Sequence, residues 1–492
     1  MPNVMSVTRR VQEQRRVTSQ LGGANSGTGR TFTNDYNARY LYAVAVTPLR
    51  WRLRIRNYSP LNATSGTGSA TVTAYIGTPA VPSSGLYRWT GTMASVNATA
   101  VQWGGAGSTT ISGATEITSD WTTGNITAGV PFVISVGYGS MSSLVAAGGD
   151  SAGGLSREAS GAAAAANSTS SFTATTSTMW MDVRIEYEYV TDLRPDGRPY
   201  VPTVLVIGDS IAAAHVQSQF ASAGPWNYGT DKWPELAAIR CGFAVANMAI
   251  GQSRVRDAGT GAGWDAATTT GHAFIARADI TTTVPDACVI ALGINDVNNS
   301  TYAQIQTAYK TLVDNVRAWG ITRIYVCTVT PGNAPLDKMQ AIADTQTSTT
   351  LKNLGVIQFD YGSGMVNTSV PAAALLREGM PISGARIPAN TVIEALTSPG
   401  LAEITNAATG SQAGDAITFA GAQHYTGTTA EIRRQQLNDW LRQCPYNVNG
   451  YFDMAQAIEL STFPAVADPR YVPHAPHPIN RGLHRMAAVV TL

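Results

Sequence analysis

The chain has 492 residues, more than one hydrophobic core usually organises, so two or three domains are expected. Charged residues are only 13% and the formal net charge is +1, a balance that argues against nucleic-acid partners. No run approaches the roughly 18 apolar residues that would span a bilayer, and the 47 glycines, with many Ser, Thr and Ala, resemble extracellular or virion proteins more than cytosolic enzymes.

Residues 1–30 are polar, carry several arginines and turn Gly-rich towards their end, which predicts a flexible or partner-docked arm. Their basic residues have no apolar run behind them, so neither a Sec nor a twin-arginine signal is expected. An extracellular or virion-associated location would then need another exit, such as assembly into a phage particle released by lysis; a cytoplasmic location stays open. From 31 to 192 short runs alternate with period two (RYLYAVAV, RWRLRIRNY, ATVTAYIG, PFVISVGYG, MWMDVRIEYEYV) between Gly/Ser/Thr/Asn clusters. That pattern predicts an antiparallel β-sandwich, jelly-roll-like, as an accessory or binding domain. Arg50, Arg52, Arg54 and Arg56 alternate with Trp51, Leu53 and Ile55, which puts four arginines on one face of a strand. The face is either a solvated exterior or a docking surface for an acidic glycan or partner subunit. Trp89, Trp103 and Trp121 could stack on sugars, with core packing as the default. The GDSAGG run at 149–154 looks like the nucleophile elbow of lipases, but a low-complexity stretch follows it and no histidine precedes His215, so Ser151 reads as a loop residue.

Residues 193–203, LRPDGRPYVPT, read as a linker. Beyond it apolar strands (VLVIGDS, GFAVANMA, ACVIALG, RIYVCTVTP and GVIQFD) alternate with helical stretches such as TYAQIQTAYKTLVDNVRAWG. This rhythm predicts an α/β domain over 204–365 and 425–492, a parallel sheet flanked by helices with its active residues at the carboxyl ends of the strands. Over 366–424 the rhythm breaks into a small β-rich insertion that looks like the β modules of phage tail proteins, or is an ordinary loop excursion. Cys288 and Cys327 fall in apolar runs and read as core; with Cys241 and Cys444 they show no metal-ligand spacing, and no disulfide is indicated.

Gly208, Asp209 and Ser210 end the first of these strands and present a serine, which becomes a useful nucleophile only with a base and oxyanion donors nearby. Asn247 and Gly251 follow the second strand, Gly293, Asn295 and Asp296 the third, and the tail carries His477, Pro478 and Gly482. Taken singly, Ser210 reads as a helix N-cap, Gly251 as a turn, Asn295 with Asp296 as a cap and His477 as a solvated residue. Taken together and in this order, the four blocks resemble the SGNH (GDSL-type) serine hydrolases, over residues 198–365 and 425–492. The resemblance implies Ser210 as nucleophile and His477 as the base that takes its proton and returns it to the leaving alcohol. It implies an oxyanion hole from the Asn295 side-chain amide and the backbone N–H groups of Gly251 and Ser210, and no metal or organic cofactor. One position departs from the family: His474 stands where an aspartate usually orients the catalytic histidine. A Ser210–His477 dyad completed by a backbone carbonyl, or Asp468 as the acid, would fill that role. His484 is expected on the last helix.

Relatives of this kind cleave many esters. The added sandwich, the insertion and the lack of a long apolar lid favour O-deacetylation of a bacterial surface carbohydrate by a phage-borne or prophage-encoded protein, with tail proteins or further copies of the chain as partners. An esterase or lipase on small or lipid esters is the alternative enzyme, and a tail structural or glycan-binding protein with a decayed site the alternative class.

Overall fold

The structure is a computed structural model that describes residues 11–21, 27–32, 35–57, 67–80, 93–94, 98–113, 115–142, 144–148, 156–160, 179–180, 182–213, 232–257, 263–265, 284–331, 357–359, 365–368, 381–398, 401–409, 417–419, 428–459, 471, 478 and 480–492. The N-terminal part is built from antiparallel sheets. One has the strand order Gln12–Gln20, Asp182–Asp192, Arg50–Arg56, Glu116–Thr118; another runs Ser156–Ser160, Tyr36–Tyr42, Phe132–Ser142, Ser69–Gly77, Thr99–Ala100. Period-two alternation drives the packing: Trp51, Leu53 and Ile55 point inward from their strand and join Val72, Ala74, Ile134 and Val136 in the core. Leu144–Gly148 pairs with Gly27–Phe32 and Met179–Trp180 in a smaller sheet.

The segment expected as a flexible arm is in part a strand. Gln12–Gln20 pairs with Asp182–Asp192, with Val17 opposite Tyr187. Val17 and Ser19 are buried, whereas the Arg16 guanidinium reaches Glu188 at 2.6 Å. The four arginines of Arg50–Arg56 are likewise ion-paired: Arg50 to Glu188 at 2.6 Å, Arg52 to Glu186 at 2.8 Å, Arg54 to Glu116 at 2.5 Å, and Arg56 to Glu116. Arg50 and Arg52 also cover the ring of Trp121, 4.5 and 4.4 Å from its centroid. The face is a charge-compensated cross-strand ladder, so the alternation of arginines does not leave a free basic strip.

The α/β part contains a five-stranded parallel sheet in the order Ala244–Asn247, Thr203–Gly208, Ala287–Ala291, Arg323–Cys327, Gly450–Phe452. Ala244–Asn247, Thr203–Gly208 and Ala287–Ala291 are buried almost throughout, as expected of parallel strands covered on both faces. The helix Tyr302–Ala318 starts at a capping box in which Thr301 and Gln304 each bond the other's backbone N–H, and it buries Ile305, Tyr309, Leu312, Val313 and Val316 at helical spacing. Its last strand corrects the sequence reading. Ile357–Phe359, within GVIQFD, belongs to a six-stranded antiparallel sheet with Met365–Thr368, Leu401–Ile404, Ile387–Ser398, Pro381–Gly384 and Ile417–Phe419, so the β-rich insertion reaches back to 357. The edge of the parallel sheet goes instead to Gly450–Phe452, after the helix Thr428–Leu441, where Phe452 stacks on Tyr325 at 5.3 Å. The cysteines are free thiols, with Cys288 and Cys327 buried in strands. Among the described residues no helix is long and apolar enough to cross a membrane.

Candidate active site

Thr203–Gly208 is first in sequence among the parallel strands yet lies between the second and the third. This is the topological switch point of a doubly wound sheet, where the connections diverge to opposite faces and leave a crevice at the carboxyl ends. Ser210 follows the first strand, Gly251 the second and Asn295 the third, so the three predicted residues come from neighbouring strand ends.

Ser210 stands just after Gly208, where a Cβ would overlap that of Ala212. The capping role belongs to Asp209: its Oδ1 accepts the Ile211 N–H at 2.9 Å, while its carbonyl accepts the Ala213 N–H at 3.0 Å. Asp209 thus closes the turn; Ser210 is buried, 7% exposed. Burial, reinforced by the nearby charge of Asp296, pushes the Asp209 carboxyl up to about 7.

The loop after Ala244–Asn247 is tied to the first strand by Ile250, whose N–H donates to the Gly208 carbonyl at 2.9 Å, and by the Ser253 hydroxyl, which donates to the same oxygen at 2.9 Å. Gly251 lies between them, buried, and its N–H donates to no acceptor among the described residues. Asn295 joins the third strand end to this loop: its Nδ2 donates to the Ser253 carbonyl at 3.0 Å, which uses one of the amide's two hydrogens. Asp296, fully buried, accepts the N–H groups of Val255 at 2.9 Å and Arg256 at 3.0 Å. Burial holds its carboxyl up at about 7. Asp296 therefore clamps the loop, while Asn295 beside it is half-buried.

Sequence reasoning missed Ser253, which bonds two of the three strand ends, although its place in GQS was a readable signal. It also missed the network behind Asn247. The Asn247 Nδ2 donates to both carboxylate oxygens of Glu235 at 3.1 Å, and its Oδ1 accepts the Ala249 N–H at 3.1 Å. Glu235 further accepts from the Tyr42 hydroxyl at 3.2 Å; Tyr42 lies 2.8 Å from the Ser19 hydroxyl, which accepts the Asn247 backbone N–H at 3.1 Å. The N-terminal antiparallel part is thereby bonded, through buried groups, to the strand that leads to Gly251.

His477, His474 and Asp468 lie outside the described residues, as does the GDSAGG run with Ser151. Their neighbours are placed. A Cβ on Gly482 would meet Pro478 Cβ at 2.8 Å and the Tyr471 carbonyl at 2.9 Å, so the H-P-x-x-x-G spacing packs the start of the helix Asn480–Ala488 against the residue that follows His477. His484 is on that helix, exposed. Among the described residues no group of three His, Cys, Asp or Glu could hold a metal ion.

No protein-family model matches the chain, and no curated protein matches it. Solved structures do resemble it. A family two carbohydrate esterase from Cellvibrio japonicus is 11% identical, with 66% of this chain and 81% of that one covered and a TM-score of 0.24. A protein described as lipolytic and of the G-D-S-L family, from Desulfitobacterium hafniense, is 11% identical over 58% of this chain and 97% of its own, at a TM-score of 0.28. A salicylyl-acyltransferase from a tetracycline biosynthetic pathway is 10% identical over 92% and 79%, also at 0.28. Likenesses this slight carry no weight for the chemistry, which rests on the residues themselves.

Proposed function

We propose that this protein is a serine ester hydrolase of the SGNH type that works by acyl transfer through Ser210. The observation that supports the reading is that Ser210, Gly251 and Asn295 follow the carboxyl ends of three neighbouring parallel strands at the switch point, with Asn295 and the Gly208 carbonyl both bonded to Ser253. Ser210 attacks the ester carbonyl while His477 takes its proton. The oxyanion is received by the Asn295 amide and the N–H groups of Gly251 and Ser210, and the proton passes to the leaving alcohol. Water then repeats the sequence on the acyl-enzyme. With His474 in the usual aspartate position, either a backbone carbonyl or Asp468 orients His477. The favoured substrate is an O-acetylated carbohydrate of a bacterial surface, met outside the cell or on a virion; the added sandwich and the β-rich insertion support a polymeric ligand.

The test is release of p-nitrophenol from its acetyl ester by the wild type and by Ser210→Ala and His477→Ala, followed by acetate release from acetylated glycans. Loss of turnover in both variants is expected. A preference for long acyl chains would move the reading to a lipase, and a wild type no faster than Ser210→Ala on any acyl length would leave a glycan-binding or structural protein.

A further inference from the structure

A second cavity lies at the opposite end of the parallel sheet. It measures about 370 Å³ and opens between the 193–203 connection and the hydrolase part, lined among others by Arg194, Arg198, Tyr200, Asp286, Thr322 and Arg323. Asp286 and Thr322 directly precede or adjoin the amino ends of Ala287–Ala291 and Arg323–Cys327, whereas Ser210, Gly251 and Asn295 follow carboxyl ends. The two sites are therefore separated by the length of a strand, roughly 20 Å for six residues.

The charges of this cleft are unbalanced. Asp286 is already used: its Oδ2 accepts from the Arg15 guanidinium at 2.6 Å and from the Thr203 N–H at 2.7 Å. Arg198 is paired with Asp196 at 2.5 Å. Arg194 and Arg323, by contrast, form no ion pair among the described residues; Arg323 reaches the Tyr325 hydroxyl at 3.3 Å, and Arg194 lies 5.4 Å from the centroid of the Tyr200 ring. Leu492 also borders the cleft. The backbone that carries Arg194 is held in place, since its N–H bonds the Arg198 carbonyl at 2.7 Å and the Gly197 N–H bonds the Arg194 carbonyl at 2.9 Å in a tight turn. Tyr200, 56% exposed, offers a flat apolar surface beside them.

We propose that this cleft is a second ligand site, for an anionic sugar whose acid group is gripped by Arg194 and Arg323 while its ring lies on Tyr200. The chemistry fits each part. A guanidinium fork matches a carboxylate or phosphate with two parallel hydrogen bonds, an exposed tyrosine packs on the C–H face of a pyranose, and the volume lies in the usual range for small-ligand sites, about 300–1,000 Å³ at a seam between domains. The site does not depend on the chemistry at Ser210.

Isothermal titration of the full chain with glucuronate, glucose 6-phosphate and glucose tests it, at concentrations to about 10 mM, where a site of about 1 mM affinity is mostly filled. At least one of the two acids is expected to bind at least tenfold more tightly than glucose, and which of them binds names the acid group. Arg194→Gln and Arg323→Gln should each weaken that binding at least tenfold, and Tyr200→Ala, a surface change that leaves the fold intact, severalfold. Turnover of p-nitrophenyl acetate should stay within twofold in all three variants. No binding of either acid, equal binding of glucose, or unchanged affinity in both arginine variants would overturn the proposal.

Discussion

Glu235→Ala should destabilise the protein more than any other single substitution near the site. Glu235 is 2% exposed and accepts two hydrogen bonds from Asn247 and one from Tyr42, at 3.1, 3.1 and 3.2 Å. Burial raises its pKa, and the neighbouring charge of Lys232 opposes that rise. Lys232 is itself 2% exposed, donates to the Leu21 carbonyl at 3.2 Å and lies 5.7 Å from the Tyr42 ring centroid. Truncating Glu235 removes the carboxylate whose charge Lys232 feels and one acceptor each from Asn247 and Tyr42, which keep the Ala212 carbonyl and the Ser19 hydroxyl; the loss should be about 3–5 kcal/mol by analogy with other broken buried pairs. Glu235→Gln keeps the volume and one acceptor while it removes the charge and turns the second acceptor into a donor, so it should fall between the wild type and Glu235→Ala. Tyr42→Phe, on an N-terminal strand, removes one bond to a charged acceptor and one to the Ser19 hydroxyl and should cost about 2–4 kcal/mol. Urea unfolding followed by circular dichroism measures all three, and a double-mutant cycle between Glu235 and Tyr42 measures their coupling. Glu235→Ala costing less than about 1 kcal/mol, or zero coupling to Tyr42, would refute the picture of a buried network joining the two parts.

Asn295→Ala should lower kcat by about 10²–10³ with a smaller change in KM, as loss of an oxyanion donor does; steady-state kinetics on p-nitrophenyl acetate decides it, and an unchanged kcat would remove Asn295 from the oxyanion hole. Gly482→Ala should displace the start of the last helix, because the added methyl meets Pro478 and the Tyr471 carbonyl at 2.8 and 2.9 Å, and turnover should fall with the chain at His477; full activity would show that this packing does not set the base. The carboxyls of Asp209 and Asp296 stand at about 7 when folded against 3.8 for the ordinary side chain, so between about pH 4 and 7 the folded state retains protons that the unfolded state has released. Their contribution to stability therefore falls as pH rises through that window and levels off above about 7; melting temperatures of the wild type and Asp296→Asn should show a flatter slope in the variant, and identical slopes would count against a raised Asp296. Arg52→Ala should lose the Glu186 pair and the Trp121 contact together, and the loss should shrink in high salt.

Much of this molecule is legible locally. Period-two alternation in RWRLRIRNY and buried apolar runs such as VLVIG are properties of a few consecutive residues, so the sequence by itself determined an antiparallel N-terminal part, a parallel sheet and the strand-end positions of Ser210, Gly251 and Asn295. Other choices needed partners distant in the chain. Whether Gln12–Gln20 is an arm or a strand depends on Asp182–Asp192, and Arg16 meets Glu188 across 172 positions. Ile357–Phe359 and Gly450–Phe452 are three residues each, too short for periodicity to separate them, and only the pairing with Arg323–Cys327 assigned the sheet edge. The alternating arginines showed their face but not the glutamates that neutralise it. The polar network of Ser19, Tyr42, Glu235 and Asn247 draws on three separate stretches of chain, and no local pattern marks a buried group whose partners become neighbours only when the sheets pack.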